Sequence, residues 1–242
     1  MISFGSTDVG QKRSINQDYI YFSDEPVGNL PNLYIVADGM GGHKAGDKAS
    51  SYAVEEFVKY IQNAQEEHPL VLMKNAMNSV NEALYHLASS KPEYEGMGTT
   101  FVAAVIEDDT MFLMNIGDSR LYVLEDHLTQ ISLDHSLVEE LLRNGQLTKE
   151  EARNHPQKNV ITRAVGVDTK VKADFFQVAM EDVKSVLLCS DGLTNMVTEQ
   201  TIKYVLENTK NIRKAAEVLI GLANDSGGLD NISVVIIEKE ER

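Results

Sequence analysis

Four acidic residues of this 242-residue chain stand where solubility does not account for a carboxylate. Asp38-Gly39 follows the apolar run Leu33 to Ala37, and Asp191-Gly192 follows Ser185 to Ser190. Twice a buried-looking strand delivers an Asp at its C-terminal end, with a glycine next to free the backbone. Asp230-Asn231 comes instead just before the run Ile232 to Ile237, and Asp118 lies in the turn Gly117-Asp118-Ser119-Arg120. Each such pair alone is a common turn. If the last strand runs antiparallel to the other two, its start and their ends share one edge of a sheet. Asp38, Asp191 and Asp230 then converge, and Asp118 can join them. Converging carboxylates with no thiolate or imidazole beside them need a positive charge, which hard divalent cations supply through oxygen ligands and retained waters. This donor set selects magnesium or manganese over zinc, with the Gly39 carbonyl as a further oxygen ligand.

The glycines after Asp38 invite a second chemistry. Gly41 and Gly46 have the spacing of a phosphate-cradling loop, but Asp47 stands where its lysine belongs and Lys48 where a Ser or Thr should hold magnesium. Nucleotide cradling fails on that mismatch, while an anion at the following helix N-terminus stays open. Near the front, Arg13-Ser14-Ile15-Asn16-Gln17-Asp18 leads into the alternation Tyr19 to Phe22. Arg13 could grip a phosphate bidentately while Asp18 orients a metal-bound water. Taken alone, the same segment is a surface arginine beside an acid. Cys189, in an apolar strand, reads as a small core residue and not as a nucleophile.

Such residues need elements to hold them. Helical periodicity predicts one helix over Asp47 to Ala64, with Ala49, Ala53, Phe57 and Ile61 in one stripe, and a second over Leu70 to Ala88. Strands are predicted at Leu33 to Ala37, Thr99 to Ile106, Met111 to Ile116, Leu121 to Leu124, Phe175 to Val178, Val186 to Ser190 and Ile232 to Ile237. The turns at Glu107 to Thr110 and Gly117 to Arg120 make residues 99 to 124 an antiparallel meander. Two further helices, Thr198 to Asn208 and Ile212 to Asn224, follow, the first capped by Thr198. Helix pairs bracketing strand runs point to a two-sheet core with a helical layer outside each sheet. Between Ser136 and Pro156 the chain is charged and interrupted by Asn144-Gly145, a helical excursion on the surface.

Composition narrows the partners. With 22 Lys and Arg against 37 Asp and Glu, the formal charge of −15 repels nucleic acid and anionic lipid. Hydrophobic residues at 43% support a real core, and one cysteine excludes a disulfide framework and fits a reducing compartment. No apolar run approaches the roughly 20 residues that span a bilayer, and the first residues lack a signal core, so stable membrane insertion is not expected and the cytoplasm is.

The ordered set RSINQD (13 to 18), DGMGG (38 to 42), GTT (98 to 100), GDSR (117 to 120), DHS (134 to 136), TRAVG (162 to 166), SDG (190 to 192) and DN (230 to 231) resembles the bacterial metal-dependent protein phosphatases of the PPM or PP2C family. The resemblance spans nearly the whole chain. It implies an α+β fold, a four-layer α-β-β-α sandwich of two antiparallel sheets flanked by helix pairs. It further implies a single domain over residues 1–242 with a flap at about 136–159. Two Mn2+ or Mg2+ ions are implied, with a third in bacterial members. Asp38 matches the carboxylate bridging both metals and Gly39 the carbonyl ligand. Asp191 and Asp230 match ligands of the second metal, and Asp118 with Asp191 the third site. Arg13 matches the phosphate-binding arginine, and Asp18 an acid behind the ligands.

The implied activity is hydrolysis of phosphoserine and phosphothreonine in proteins by a metal-activated water, opposing a cognate Ser/Thr kinase, in a monomer. Two rivals keep the fold: a phosphatase dedicated to one regulatory protein, and an inert phosphoprotein-binding module. One departure is Met40, where animal members carry a His proposed as general acid. His43 lies three residues further along and His135 sits in DHS, but the first is better explained as a turn His and the second as a strand-end His, each bonding to backbone.

Overall fold

In the computed structural model, which describes residues 1–41, 45–66, 68–153 and 155–239, apolar runs form strands and periodic segments form helices. The chain opens with β1 (Ile2–Asp8), β2 (Asp18–Ser23), β3 (Leu33–Met40), α1 (Ala45–Asn63) and α2 (Pro69–Ala88). There follow β4 (Gly98–Thr99), β5 (Phe101–Glu107), β6 (Thr110–Ile116), β7 (Arg120–Leu124), β8 (Leu128–Gln130), α3 (Leu137–Arg143) and α4 (Lys149–Arg153). The order ends with β9 (Asp174–Ala179), β10 (Ser185–Cys189), α5 (Asp191–Thr194), α6 (Glu199–Asn208), α7 (Ile212–Asp225) and β11 (Ile232–Glu238).

One sheet has the order β1-β11-β10-β7-β8 and the other β2-β3-β5-β6-β9, with β4 paired to the end of β3 and every pairing antiparallel. Both faces of the central strands are covered, which is why they are apolar without alternation. In β3, Leu33, Ile35 and Ala37 share a core with Ala49, Phe57 and Ile61 of α1 and Met73 and Met77 of α2. Tyr34 and Val36 take the other side, with Leu121, Val123, Leu188 and Val235 of the opposite sheet. In β11, Val234 and Ile236 meet Ile202 and Val205 of α6 and Ala216 and Leu219 of α7, while Val235 and Ile237 fill the middle. The four-layer α-β-β-α order follows from that two-residue period.

In the first helical layer the Phe57 and Phe101 rings lie 4.9 Å apart and both side chains are fully buried, each contributing roughly 1.5–3 kcal/mol over exposure. Thr198 caps α6 by accepting from the Thr201 N–H, and Asn211 caps α7 by accepting from Lys214. The excursion after Ser136 holds α3 and α4. It is closed at its base by Leu137 N–H to Val160 O at 2.9 Å and Thr162 N–H to His135 O at 2.7 Å. Among the described residues, no helix is long and apolar enough to cross a membrane.

Two expectations are corrected. Residues 99 to 124 do not form a meander: β5 and β6 make a hairpin, but β7 crosses to the other sheet and pairs with β10 and β8. The free edge of β6 is taken by β9, and Gly117, at φ 97°, turns the chain away so tightly that a Cβ would sit 2.6 Å from the Thr100 side chain. Likewise, β3 does not share a sheet with β10 and β11. Asp38 and Asp191 therefore meet across the end of the sandwich, not along one sheet edge.

Candidate metal centre

The β2–β3 register sets Asp18 directly opposite Asp38. Asp38 lies inside β3, since β4 continues the ladder with Gly39 opposite Thr99 and Met40 opposite Gly98. Its backbone is fully engaged: the N–H donates to Thr100 Oγ1 at 2.9 Å, and the carbonyl accepts from Thr100 N–H at 2.8 Å and Thr99 Oγ1 at 2.9 Å. Thr100 Oγ1 also bonds Ser119 Oγ at 2.7 Å, linking Asp38 to the loop that carries Asp118. The Gly98-Thr99-Thr100 stretch thus fixes the strand that presents the Asp38 carboxylate.

Asp191 opens α5 straight after β10, and Asp230 precedes β11, its antiparallel neighbour. Gly192 is required there, because a Cβ would fall 1.9 Å from the Asn231 carbonyl oxygen. Gly39 and Gly46 are a matched pair: a Cβ on Gly39 would lie 1.9 Å from Gly46 O. The first turn of α1 therefore packs on Gly39, and Gly46 serves that close contact instead of a phosphate cradle. Ser190 Oγ donates to Asp18 Oδ2 at 2.7 Å and accepts from Ser233 N–H at 3.0 Å, tying the two sheets together behind the carboxylates.

Electrostatics mark the cluster. Burial, followed by the charges of Asp18, Asp191, Asp118 and Asp230, pushes the Asp38 carboxyl well above its ordinary range. Asp18, 6% exposed, is raised to about 7, chiefly by burial, with Ser233 and Ser190 opposing and Asp191 and Asp230 adding. Burial and the Asp230 charge raise Asp191 to about 6. Asp118, 8% exposed, is driven up by burial and by Asp191 and Asp134, against the opposing charge of Arg120. The Asp191 charge is among those that raise Asp38, so the two carboxyls repel when both are ionised.

A divalent cation fits this arrangement. Asp18 Oδ1 and Asp191 Oδ1 are buried without a hydrogen-bond partner, an arrangement that leaves two oxygens unsatisfied until a cation or its water arrives. Among the described residues, no three His, Cys, Asp or Glu side chains form a closed cage around one point. A hard ion that keeps waters needs only a few carboxylates and a carbonyl. The structure sets Asp18 opposite Asp38 and keeps Asp191, Asp118 and Asp230 within electrostatic reach of Asp38.

Arg13, half-exposed, places Nη2 2.8 Å from Asp230 Oδ2, so a guanidinium already sits at the rim of the acidic cluster. Arg120 makes a tighter pair with Asp134, Nη2 to Oδ2 at 2.6 Å, backed by Tyr122 and Gln130. His135 does not face the cluster as a free acid. Its Nδ1 accepts from Gly117 N–H at 3.0 Å, so the neutral ring carries its proton on Nε2, directed at Asp174 Oδ2 at 3.1 Å. His43 lies outside the described residues. Thr99, Thr100, Ser190 and Asn231 are supporting residues to which the sequence assigns no role. Their signal was present in the GTT, SDG and DN motifs, next to the acids that drew attention.

With that geometry in place, comparison with known proteins is informative. The family model described as Protein phosphatase 2C matches residues 9–223. The chain is 42% identical over 245 residues to "Serine/threonine phosphatase stp" of Listeria monocytogenes serovar 1/2a, covering 97% of this chain and 94% of that protein. It is 39% identical over 239 residues to "Protein phosphatase PhpP" of Streptococcus pneumoniae serotype 2, covering 97% and 96%. The structure of Serine/threonine phosphatase Stp1 from Staphylococcus aureus superimposes with a TM-score of 0.92 at 35% identity, covering 99% of this chain and 95% of that one.

Proposed function

As a member of the protein phosphatase 2C family this chain is a metal-dependent protein-serine/threonine phosphatase, and we propose that Asp38, Gly39, Asp118, Asp191 and Asp230 hold its ions while Arg13 binds the phosphoryl group. The observation that carries the assignment is the pair of buried, unpartnered oxygens, Asp18 Oδ1 and Asp191 Oδ1, at the end of a sandwich where burial and neighbouring charges also raise Asp38 and Asp118. Repulsion of this kind is relieved by protonation at low pH and by cations at neutral pH. The ions would be Mn2+ or Mg2+, two with a third that Asp118 and Asp191 would hold.

Bound divalent ions supply Lewis acidity and lower the pKa of water into the neutral range. The remaining work belongs to the chain. Arg13, at the solvent edge, meets two phosphoryl oxygens with its fork of N–H donors and offsets their charge as the phosphorus–oxygen bond loosens. Asp18, held by Ser190, keeps Oδ1 free to accept from a water in the cluster and so to orient it. The two rigid antiparallel pairs, β2–β3 and β10–β11, keep these groups in place without reorganisation. No histidine is assigned as general acid.

Phosphoserine and phosphothreonine proteins are the substrates. The proposal further includes a cognate Ser/Thr kinase, a monomeric single domain, a cytoplasmic location supported by the lone buried Cys189, and a flap role for residues 136–159. The test is phosphate release from a phosphothreonine peptide in Mn2+ with a chelator control, beside Asp191→Asn followed by calorimetric Mn2+ titration. Chelator-sensitive release, lost together with Mn2+ binding in the variant, supports the assignment. Turnover that survives chelation, or an Asp191→Asn enzyme of full activity, refutes it.

A further inference from the structure

We propose that Asn231 is a positioning residue for phosphate binding, clamping the loop that carries Arg13 and tying it to Gly39 through the backbone of Gln17. The inference rests on the reading of Arg13 as the phosphate-binding arginine. Asn231 is 3% exposed. Its Oδ1 accepts from Gln17 N–H at 2.8 Å, and its Nδ2 donates to Val9 O at 2.9 Å and Ile15 O at 3.0 Å. One carboxamide therefore gathers three backbone groups from the β1–β2 connection, which otherwise has no ladder of its own. The opposite side of the same loop is pinned by Gln11 and Lys12 N–H groups to Gly228 O at 2.8 and 3.2 Å.

Arg13 lies between these anchors. Its partner Asp230 accepts from the Asn231 N–H through Oδ1 at 2.9 Å and from Arg13 through Oδ2 at 2.8 Å, so Asn231 positions both members of the pair. The connection continues inward. Gln17 O accepts from Gly39 N–H at 3.0 Å and from Ser50 Oγ at 2.6 Å, which joins the Arg13 loop to the residue whose carbonyl is assigned to a metal. Only a carboxamide suits this place, because the three partners are one donor and two acceptors. A carboxylate would set an oxygen against two carbonyls, and an alkyl side chain would leave three backbone groups unpaired. Losing the clamp frees the loop, and each phosphate then has to order Arg13 on arrival, a cost that appears in binding before it appears in chemistry.

The experiment is a double-mutant cycle of Asn231→Ala and Arg13→Ala, read with p-nitrophenyl phosphate, inhibition by inorganic phosphate, Mn2+ calorimetry and trypsin cleavage after Lys12 and Arg13 in chelator. Asn231→Ala is expected to raise KM and the phosphate inhibition constant together by roughly ten-fold with a smaller change in kcat. It should also speed cleavage of the loop while leaving Mn2+ binding intact. In the Arg13→Ala background it should add almost nothing to KM. Independent multiplication of the two effects, or an unchanged KM and cleavage rate, overturns the inference. An Arg13→Ala enzyme with unaltered KM and phosphate inhibition overturns the reading beneath it, whereas a raised KM there with none in Asn231→Ala removes the clamp alone. Should Asn231→Ala not fold, Asn231→Asp, which keeps the acceptor for Gln17, enters the same cycle. Failure of both to fold makes Asn231 a general stability element and also overturns the proposal.

Discussion

Replacing Asp18 by asparagine should make the metal-free protein more stable and the enzyme worse. Asp18 is raised from 3.8 to about 7 in the fold, principally by burial. Such a rise corresponds to roughly 4 kcal/mol between the ionised and neutral forms. A raised carboxyl binds its proton more tightly folded than unfolded, so stability falls as pH climbs from about 4 to about 7 and the full penalty stands above that range. Asparagine has the shape of the neutral acid and keeps an oxygen for the Ser190 hydroxyl, which now donates to Oδ2 at 2.7 Å. In chelator at pH 8, Asp18→Asn should therefore melt higher than the parent by roughly 10 °C for a domain of this size. At pH 4 the two curves should coincide. With Mn2+ added the parent should recover most of the difference, because the cation relieves the repulsion that the substitution removes. Thermal melts across pH 4 to 8, with and without Mn2+, make the measurement. A variant that melts lower at pH 8 in chelator, or a difference that ignores pH, would falsify the claim that buried charge destabilises this end of the fold.

Other perturbations test the supports. Arg120→Met leaves Asp134, whose side chain is 9% exposed, with the Gln130 amide but no cation, and should cost about 3–5 kcal/mol in urea unfolding; a loss under 1 kcal/mol would show the pair to be screened. Gly192→Ala drives a Cβ to 1.9 Å from the Asn231 carbonyl and should cost roughly 1–3 kcal/mol with a loss of kcat, since Asp191 moves with its neighbour. A parental melting curve and kcat would contradict that contact. Burial pushes the Cys189 thiol up to about 12, so maleimide at pH 8 should leave the native protein unlabelled and modify it fully once unfolded. Rapid native labelling would place Cys189 outside the core.

What was legible in the sequence had a local cause. Ala49, Ala53, Phe57 and Ile61 repeat at helical spacing because one face of α1 is covered, and the helix runs from Ala45 to Asn63 against the expected 47 to 64. Thr198 caps α6 for a reason contained in the next three residues. What failed depended on distant chain. Nothing between residues 99 and 124 records that β9, more than fifty positions later, occupies the edge of β6 and sends β7 to the other sheet. The β1 strand escaped for a similar reason: Ser3, Gly5 and Ser6 give it little apolar signal, and it forms because β11 offers seven paired positions, Ile2 to Asp8. The acids were visible by residue type, but the hydroxyls and the amide that aim them are common residues, recognisable only once their partners are known.

The two-sheet arrangement explains why this end of the molecule can hold so much negative charge. Each carboxylate is carried by backbone already satisfied elsewhere: Asp38 by Thr99 and Thr100, Asp18 by its place opposite Asp38, Asp191 by the turn over Asn231. None can relax away from its neighbours without breaking a ladder that also closes an apolar core. Rigid support thus converts repulsion into affinity, since the free energy stored against folding in the metal-free state is returned when a cation binds. Gly39 and Gly192 belong to the same device, allowing backbone to approach where any side chain would push a carboxylate outward. Disturbing either contact should then weaken metal binding along with the stability lost to the clash, whereas damage to an ordinary core position lowers stability alone.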